Sequence, residues 1–184
     1  YYTTLGTTGL KPEEAREFNV GFDYGTSNFD FSADFYANNV ENKIVAIPTL
    51  YVWKMANYGE VNILGADVAA GTEFSVEAVK LKLTANYSYQ KAIDVTNSNS
   101  KLYKSQIPYT PLHSGKAAAV ATFGKYSLSA TTIVSGKRYF LEYNIPDNEI
   151  EPYAEFSATA TRSFNIGRSQ LTASLSCLNI AGNQ

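Results

Sequence analysis

The chain holds one cysteine, Cys177, so no disulfide can close within it, and Cys-rich zinc patterns and CxxC redox chemistry are excluded. It holds one histidine, His113, which leaves no second imidazole for a metal site or a catalytic pair. No run of about 18 apolar residues occurs, which excludes a membrane-spanning helix. Strands are not excluded, because a membrane-spanning strand needs only about 9–11 residues of alternating character. Charge is also sparse, at 17% of residues against roughly 25% in soluble domains. The net charge of -2 offers neither the basic excess of a nucleic-acid binder nor an acidic tail. The opening Tyr1-Tyr2-Thr3-Thr4 lacks the basic region and apolar core of a secretory leader, so the chain is read as a mature start or an internal piece.

Aromatic residues, by contrast, are plentiful, with 14 Tyr and 10 Phe. Tyr pairs an apolar body with a polar tip, which suits strands and wet–dry boundaries. Alternation with a period of two recurs along the chain. Phe18, Val20, Phe22 and Tyr24 share one face, and Phe29, Phe31, Ala33 and Phe35 follow after a turn. The same pattern marks 79–89, 126–131, 156–161 and 171–177, and more weakly 59–74 and 116–123. This predicts eight spanning strands, with a possible short strand at Lys43 to Ile47 inside a loop and a β-bulge beside Gly65 where the phase slips near Ile63-Leu64.

Connection lengths alternate too. Short turns are expected at 25–28, 75–78, 124–125 and 165–168, and long loops at 38–58, 91–115 and 135–151. Outer-membrane barrels have short periplasmic turns and longer extracellular loops, whereas a soluble sandwich gives little reason for such regularity. The apolar face is rich in Ala, and aromatics gather at strand ends (Tyr24, Phe35, Tyr87, Tyr89, Phe123, Tyr126, Tyr139, Tyr153). Lipid accepts both features, while a packed sandwich core favours large branched residues. Glu17, Asp30, Asp34, Lys80 and Lys82 fall on the opposite face, which suits a polar lumen. The expected fold is all-β, an antiparallel transmembrane β-barrel.

Several linked segments carry a family resemblance. Leu10-Lys11-Pro12-Glu13 before Phe18-Asn19-Val20-Gly21, and Phe31 to Asn39 before Ile44-Val45, are the first two. They are followed by Ala56-Asn57-Tyr58-Gly59-Glu60-Val61 leading to Gly65-Ala66-Asp67, by Ile107-Pro108-Tyr109-Thr110-Pro111-Leu112-His113, and by Leu178-Asn179-Ile180. In this order they resemble the late barrel hairpins of TonB-dependent outer-membrane receptors, with spacing most similar to those of the Bacteroidetes. Asp67 stands where Glu is common. The resemblance implies that residues 1–184 are a C-terminal segment, about eight strands of a plugged barrel of roughly 22 strands, with the plug outside this chain. It implies TonB-coupled uptake of a scarce ligand (siderophore-iron, a corrinoid or a glycan) across the bacterial outer membrane. The implied partners are outer-membrane lipid, the TonB complex reached through the plug, the small-molecule or glycan ligand and a surface lipoprotein; no nucleic acid is implied.

No cofactor, metal site or enzymatic centre is read from the chain. His113 lacks metal partners at useful spacing, and the segment 91–104 lacks EF-hand order. Asp30 and Asp34 lie roughly 13 Å apart along a strand, too far for a glycosidase dyad. Gly6 and Gly9 precede no Gly-Lys-Ser/Thr, so they make no phosphate loop. The candidate ligand residues are the aromatics of the long loops, Tyr51, Trp53, Tyr103, Tyr109 and Tyr139 with Phe140, and the basic pair Lys137-Arg138. The rings could stack on a ligand or pack among the loops, and the basic pair could attract an anionic chelate or be a solvated tip. Two other readings remain at this point: a small, complete eight-stranded barrel for adhesion or anchoring, and a soluble β-sandwich binding module.

Overall fold

The computed structural model describes residues 4–5 and 8–182. Its strands are β1 (Thr4–Leu5), β2 (Glu14–Gly25), β3 (Phe29–Pro48), β4 (Trp53–Val76), β5 (Val79–Asp94), β6 (His113–Phe123), β7 (Tyr126–Ser135), β8 (Arg138–Tyr139), β9 (Glu149–Ile150), β10 (Tyr153–Ile166) and β11 (Ser169–Cys177). The eight long ones form a single antiparallel sheet in the order β11-β10-β7-β6-β5-β4-β3-β2. β1 pairs in parallel with the far end of β4, and β8 pairs with β9.

Pairing register assigns the faces. Phe18, Val20 and Phe22 of β2 lie opposite Ala37, Phe35 and Ala33 of β3, which lie opposite Leu64, Ala66 and Val68 of β4. This apolar face continues through Tyr87 and Ala85 of β5, Ala117 and Ala119 of β6, Ala130 of β7 and Ala158 of β10. On the reverse face Asp34 faces Asp67, then Ser88, Ser114 and Ser135. Among the described residues nothing layers over the apolar face: Phe18 is 68% exposed and Leu175 is 77% exposed. Among the described residues, only Ala33, Val40, Val61, Ala92 and Ile107 are buried apolar ones. A sandwich would need a second layer here, and none is present among the described residues. A closed eight-stranded barrel would need β2 to meet β11, yet the sheet is open at both.

Short turns lie at one end of the sheet, where Glu77, Gly124 and Gly167 take positive φ to reverse the chain. Aromatic residues mark this end on the apolar face: Tyr24 and Phe29 rings lie 6.4 Å apart, and Phe123 is opposite Tyr126. Arg162 shares that face and holds its guanidinium over the rings of Tyr126 and Phe164, at 5.0 and 4.6 Å. Stacking keeps the charge at the boundary while its stem stays in the apolar belt. Tyr153 departs from the expected girdle, because its register with Ser135 puts it on the polar face.

Two sequence expectations are corrected. The segment 38–58 is a hairpin, not a loop, and Lys43 to Ile47 is no separate strand: β3 runs unbroken to Pro48, and β4 resumes at Trp53. Asn42 takes a positive φ of 54°, but Glu41 pairs with Glu60 and Lys43 with Tyr58, so register is retained across it. There is also no bulge beside Gly65, since Tyr36 pairs with Gly65 and Asn38 with Ile63 in unbroken step. The apparent phase slip has another cause. Val61 and Ile63 turn to the inner face, where Ile107 of the β5–β6 connection packs on them with Ala92. Apolar residues change faces there because the cover changes, not the register.

Candidate functional site

The three outer connections form one body, two of them joined by hydrogen bonds and the third by a ring contact. The β5–β6 connection folds back on its own strand: Asp94 N–H donates to Ser105 O (3.0 Å), and Ile107 N–H to Ala92 O (2.9 Å). Gln106, 8% exposed, sends its amide to Gln90 O, Thr110 O and Thr110 Oγ1 at 3.1–3.3 Å, which satisfies a polar group the fold has buried. Asn144 of the β7–β10 connection accepts from Gln106 N–H and donates back to Gln106 O at 3.1 Å. Tyr109 N–H donates to Tyr139 O at 2.7 Å, a second weld between the same two connections. The hairpin joins through rings, with Trp53 and Tyr109 centroids 5.8 Å apart. Below it, the Asn57 amide bonds Lys11 O at 2.9 Å and Asn42 O at 2.7 Å, tying in the segment ahead of β2.

Against this body each candidate ligand residue has a place. Trp53, Tyr109 and Tyr139 come together, Tyr139 through its backbone. Tyr51 is apart, 89% exposed at the hairpin tip beside the equally bare Leu50. Tyr103 is also apart, with the neighbouring Lys104 ammonium 5.4 Å from its ring. Phe140 is half-buried and donates its N–H to Asn148 O at 3.0 Å. Lys137 pairs with Glu149 at 3.1 Å across the β8–β9 ribbon. Arg138 holds its guanidinium 5.5 Å from the centre of the Tyr153 ring, and its buried Nη1 has no protein acceptor. The amides of Gln106, Asn144 and Asn57 were not foreseen, because no spacing rule marks an amide that will bond backbone in a distant loop.

The hydrogen bond and charge of Glu149 raise the Lys137 pKa above its ordinary 10.5, with smaller help from Tyr139 and Glu151. A raised lysine pKa means the tie contributes fully below the ordinary value and is lost as pH climbs through the raised one. The Lys137–Glu149 tie is therefore expected to hold through neutral pH and to loosen as pH climbs above the ordinary lysine range. NMR of the ribbon amides over pH would check this, and loosening between pH 6 and 9 would count against it.

His113 begins β6 rather than sitting in a loop, on the apolar face. Its Nδ1 lies 2.7 Å from Tyr87 Oη, and its ring is 5.4 Å from that of Tyr89. That is an aromatic boundary at the outer end of the sheet. No metal-holding group of His, Cys, Asp and Glu occurs among the described residues.

An open sheet with an apolar outer face, short turns at one end and welded loops at the other is part of a barrel wall. The sequence model for the TonB dependent receptor-like β-barrel matches residues 1–180. The chain belongs to that family. Solved TonB-dependent receptor structures share the fold at low identity. The ferric citrate transporter FecA superposes with a TM-score of 0.76 at 16% identity, over 94% of this chain and 27% of that one. The siderophore receptor PiuA from Acinetobacter baumannii gives 0.68 at 19%, over 94% and 25%. The copper transporter OprC gives 0.64 at 15%, over 97% and 28%. The chain thus spans about a quarter of the length of each. As a TonB-dependent receptor barrel it lies in the bacterial outer membrane, its apolar face toward lipid and its polar face toward the lumen.

Proposed function

We propose that this chain forms wall and outer loops of a TonB-coupled importer that takes up a scarce small ligand, a chelated metal above all. In this reading the plug and its TonB-contact segment lie elsewhere in the same protein. Residues 1–184 supply eight strands of wall and the surface on which cargo first lands. The observation that carries the reading is the welded loop body, with Trp53 on Tyr109 and Tyr109 bonded to Tyr139. A rigid aromatic surface binds at low cost in conformational freedom. Arg138 adds a positive charge beside this surface, its guanidinium against the Tyr153 ring, which favours an anionic chelate. Structural relatives described as ferric citrate, siderophore and copper proteins support metal chelates over glycans, the class that would call for a surface lipoprotein. Wall, loops and cargo passage need no catalytic group, and the reading assigns no enzymatic activity.

The test is whole-cell binding and uptake of radiolabelled chelates under iron limitation, with a corrinoid arm under cobalamin limitation. Trp53→Ala and Tyr109→Ala should each weaken surface binding by about tenfold, as expected for loss of an aromatic anchor. Removing TonB should abolish uptake while leaving surface binding intact. Uptake that persists without TonB would refute the coupling. Unchanged binding in both aromatic variants would move the ligand site off this body.

A further inference from the structure

The inner face of the wall is covered unevenly at its outer end. Ile107 of the β5–β6 connection lies over Val61, Ile63 and Ala92 of β4 and β5, and Val61 is fully buried. The β7–β10 connection is held to the same side, with Asn144 bonded to Gln106 and Tyr139 to Tyr109. Among the described residues no buried cluster lies over the inner face of β7, β10 and β11.

The uncovered sector also differs in chemistry. Every inward residue at 127–131, 157–163 and 172–176 is Ser or Thr, which makes a hydroxyl panel about 20 Å tall at roughly 3.4 Å per residue. Lys116 and Glu155 flank Ile133 in the row just above it, and above them Tyr153 carries the Arg138 guanidinium. The panel bonds to itself across strands: Thr159 to Ser176 (2.9 Å), Thr161 to Ser174 (3.2 Å) and Ser163 to Thr172 (3.5 Å). The same register rows, followed back through neutral positions of β6, end in charge. The Thr131 row reaches Asp30, the Ser129 row reaches Lys82 and Glu73, and the Ser127 row reaches Lys80.

We propose that cargo descends along this hydroxyl panel, between the panel and the plug, while the plug stays held against the charged rows of β3 to β5. The proposal rests on the importer reading and adds to it the side of the wall that opens. A hydroxyl both donates and accepts, so the panel can exchange plug, water and cargo as partners without a change of charge. Hydrogen bonds to charged groups are about twice as strong, so the plug parts more readily from the neutral sector. The cross-strand pairs leave the panel with partners when the plug withdraws. An anionic chelate would be repelled at Asp30 and retained at Lys82, whereas passage requires binding weak enough to leave. Arg138 above the panel attracts such a cargo to its head.

The experiment uses the intact receptor with Cys177, exposed on the outward face, changed to Ser. One cysteine is then placed at Ser129, Ser157 or Thr159, or for comparison at Ser32 or Thr84. Fluorescein maleimide reports their exposure in cells supplied with ferric citrate, with and without TonB. The purified receptor labelled in increasing urea needs neither cargo nor TonB. Panel cysteines are expected to label at least about tenfold faster when TonB is present, the worth of roughly one hydrogen bond to a charged group, and at lower urea than the comparison pair. Earlier labelling of Ser32→Cys or Thr84→Cys in urea, or equal labelling in the two sectors, overturns the proposal. So does ferric citrate uptake without TonB-dependent labelling at any panel position. Uptake that persists without TonB removes the coupling reading instead, and the urea series then decides the sector alone, as it does if ferric citrate is not imported.

Discussion

Replacing Ala85 with arginine is expected to destabilise the barrel by roughly 2–4 kcal/mol, while arginine at the adjacent Thr84 should cost far less. Ala85 lies on the apolar face, in a row with Ala70 and Ala117, several residues from either end of β5. A guanidinium there sits deep in the hydrocarbon and too far from either boundary to reach water easily. Thr84 points to the opposite face, between Lys82 and Asn86, where the wall already carries charge. Hydropathy at the two positions is unremarkable, so only the register separates them. Chemical unfolding of the intact receptor in lipid vesicles, with the folded fraction read from gel mobility, measures both. Equal losses would mean that the faces have been assigned the wrong way round.

That register was largely legible beforehand, because alternation repeats the same physical statement at every second residue. A strand such as 16–24, with Phe18, Val20, Phe22 and Tyr24 against Glu17, Asn19 and Asp23, has only one amphipathic reading. The outer ends were harder. Lys43 to Ile47 continue β3 well beyond any membrane, where water on both sides removes the pressure to alternate. Val61 and Ile63 broke the pattern for a tertiary reason, since their partner Ile107 lies more than 40 residues away. The loops were readable as a set of aromatics but not as a body. Trp53, Tyr109 and Tyr139 could be named; that Gln106 and Asn144 join their loops could not, because an amide reads alike whether it meets water or a distant backbone.

Gly65 shows how a misread residue becomes a test. Its phase slip suggested a bulge, whereas β4 passes straight through and the ring of Tyr36, directly opposite on β3, lies across the glycine. A Cβ on Gly65 would fall inside that ring, so the position needs glycine for close approach rather than for an unusual φ. The ring in turn shields backbone that glycine leaves bare, and Gln90 Nε2 reaches its hydroxyl at 3.3 Å. Gly65→Ala is therefore expected to cost about 1–3 kcal/mol by forcing the Tyr36 ring off its seat. Tyr36→Ala should also destabilise, by exposing the glycine and losing the ring's contacts. The double variant should lose at least about 1 kcal/mol less than the sum, because with the ring gone the added methyl has nothing to strike. Additive losses in a double-mutant cycle, measured by chemical unfolding in vesicles, would show that ring and glycine do not interlock and that Gly65 serves the strand in some other way.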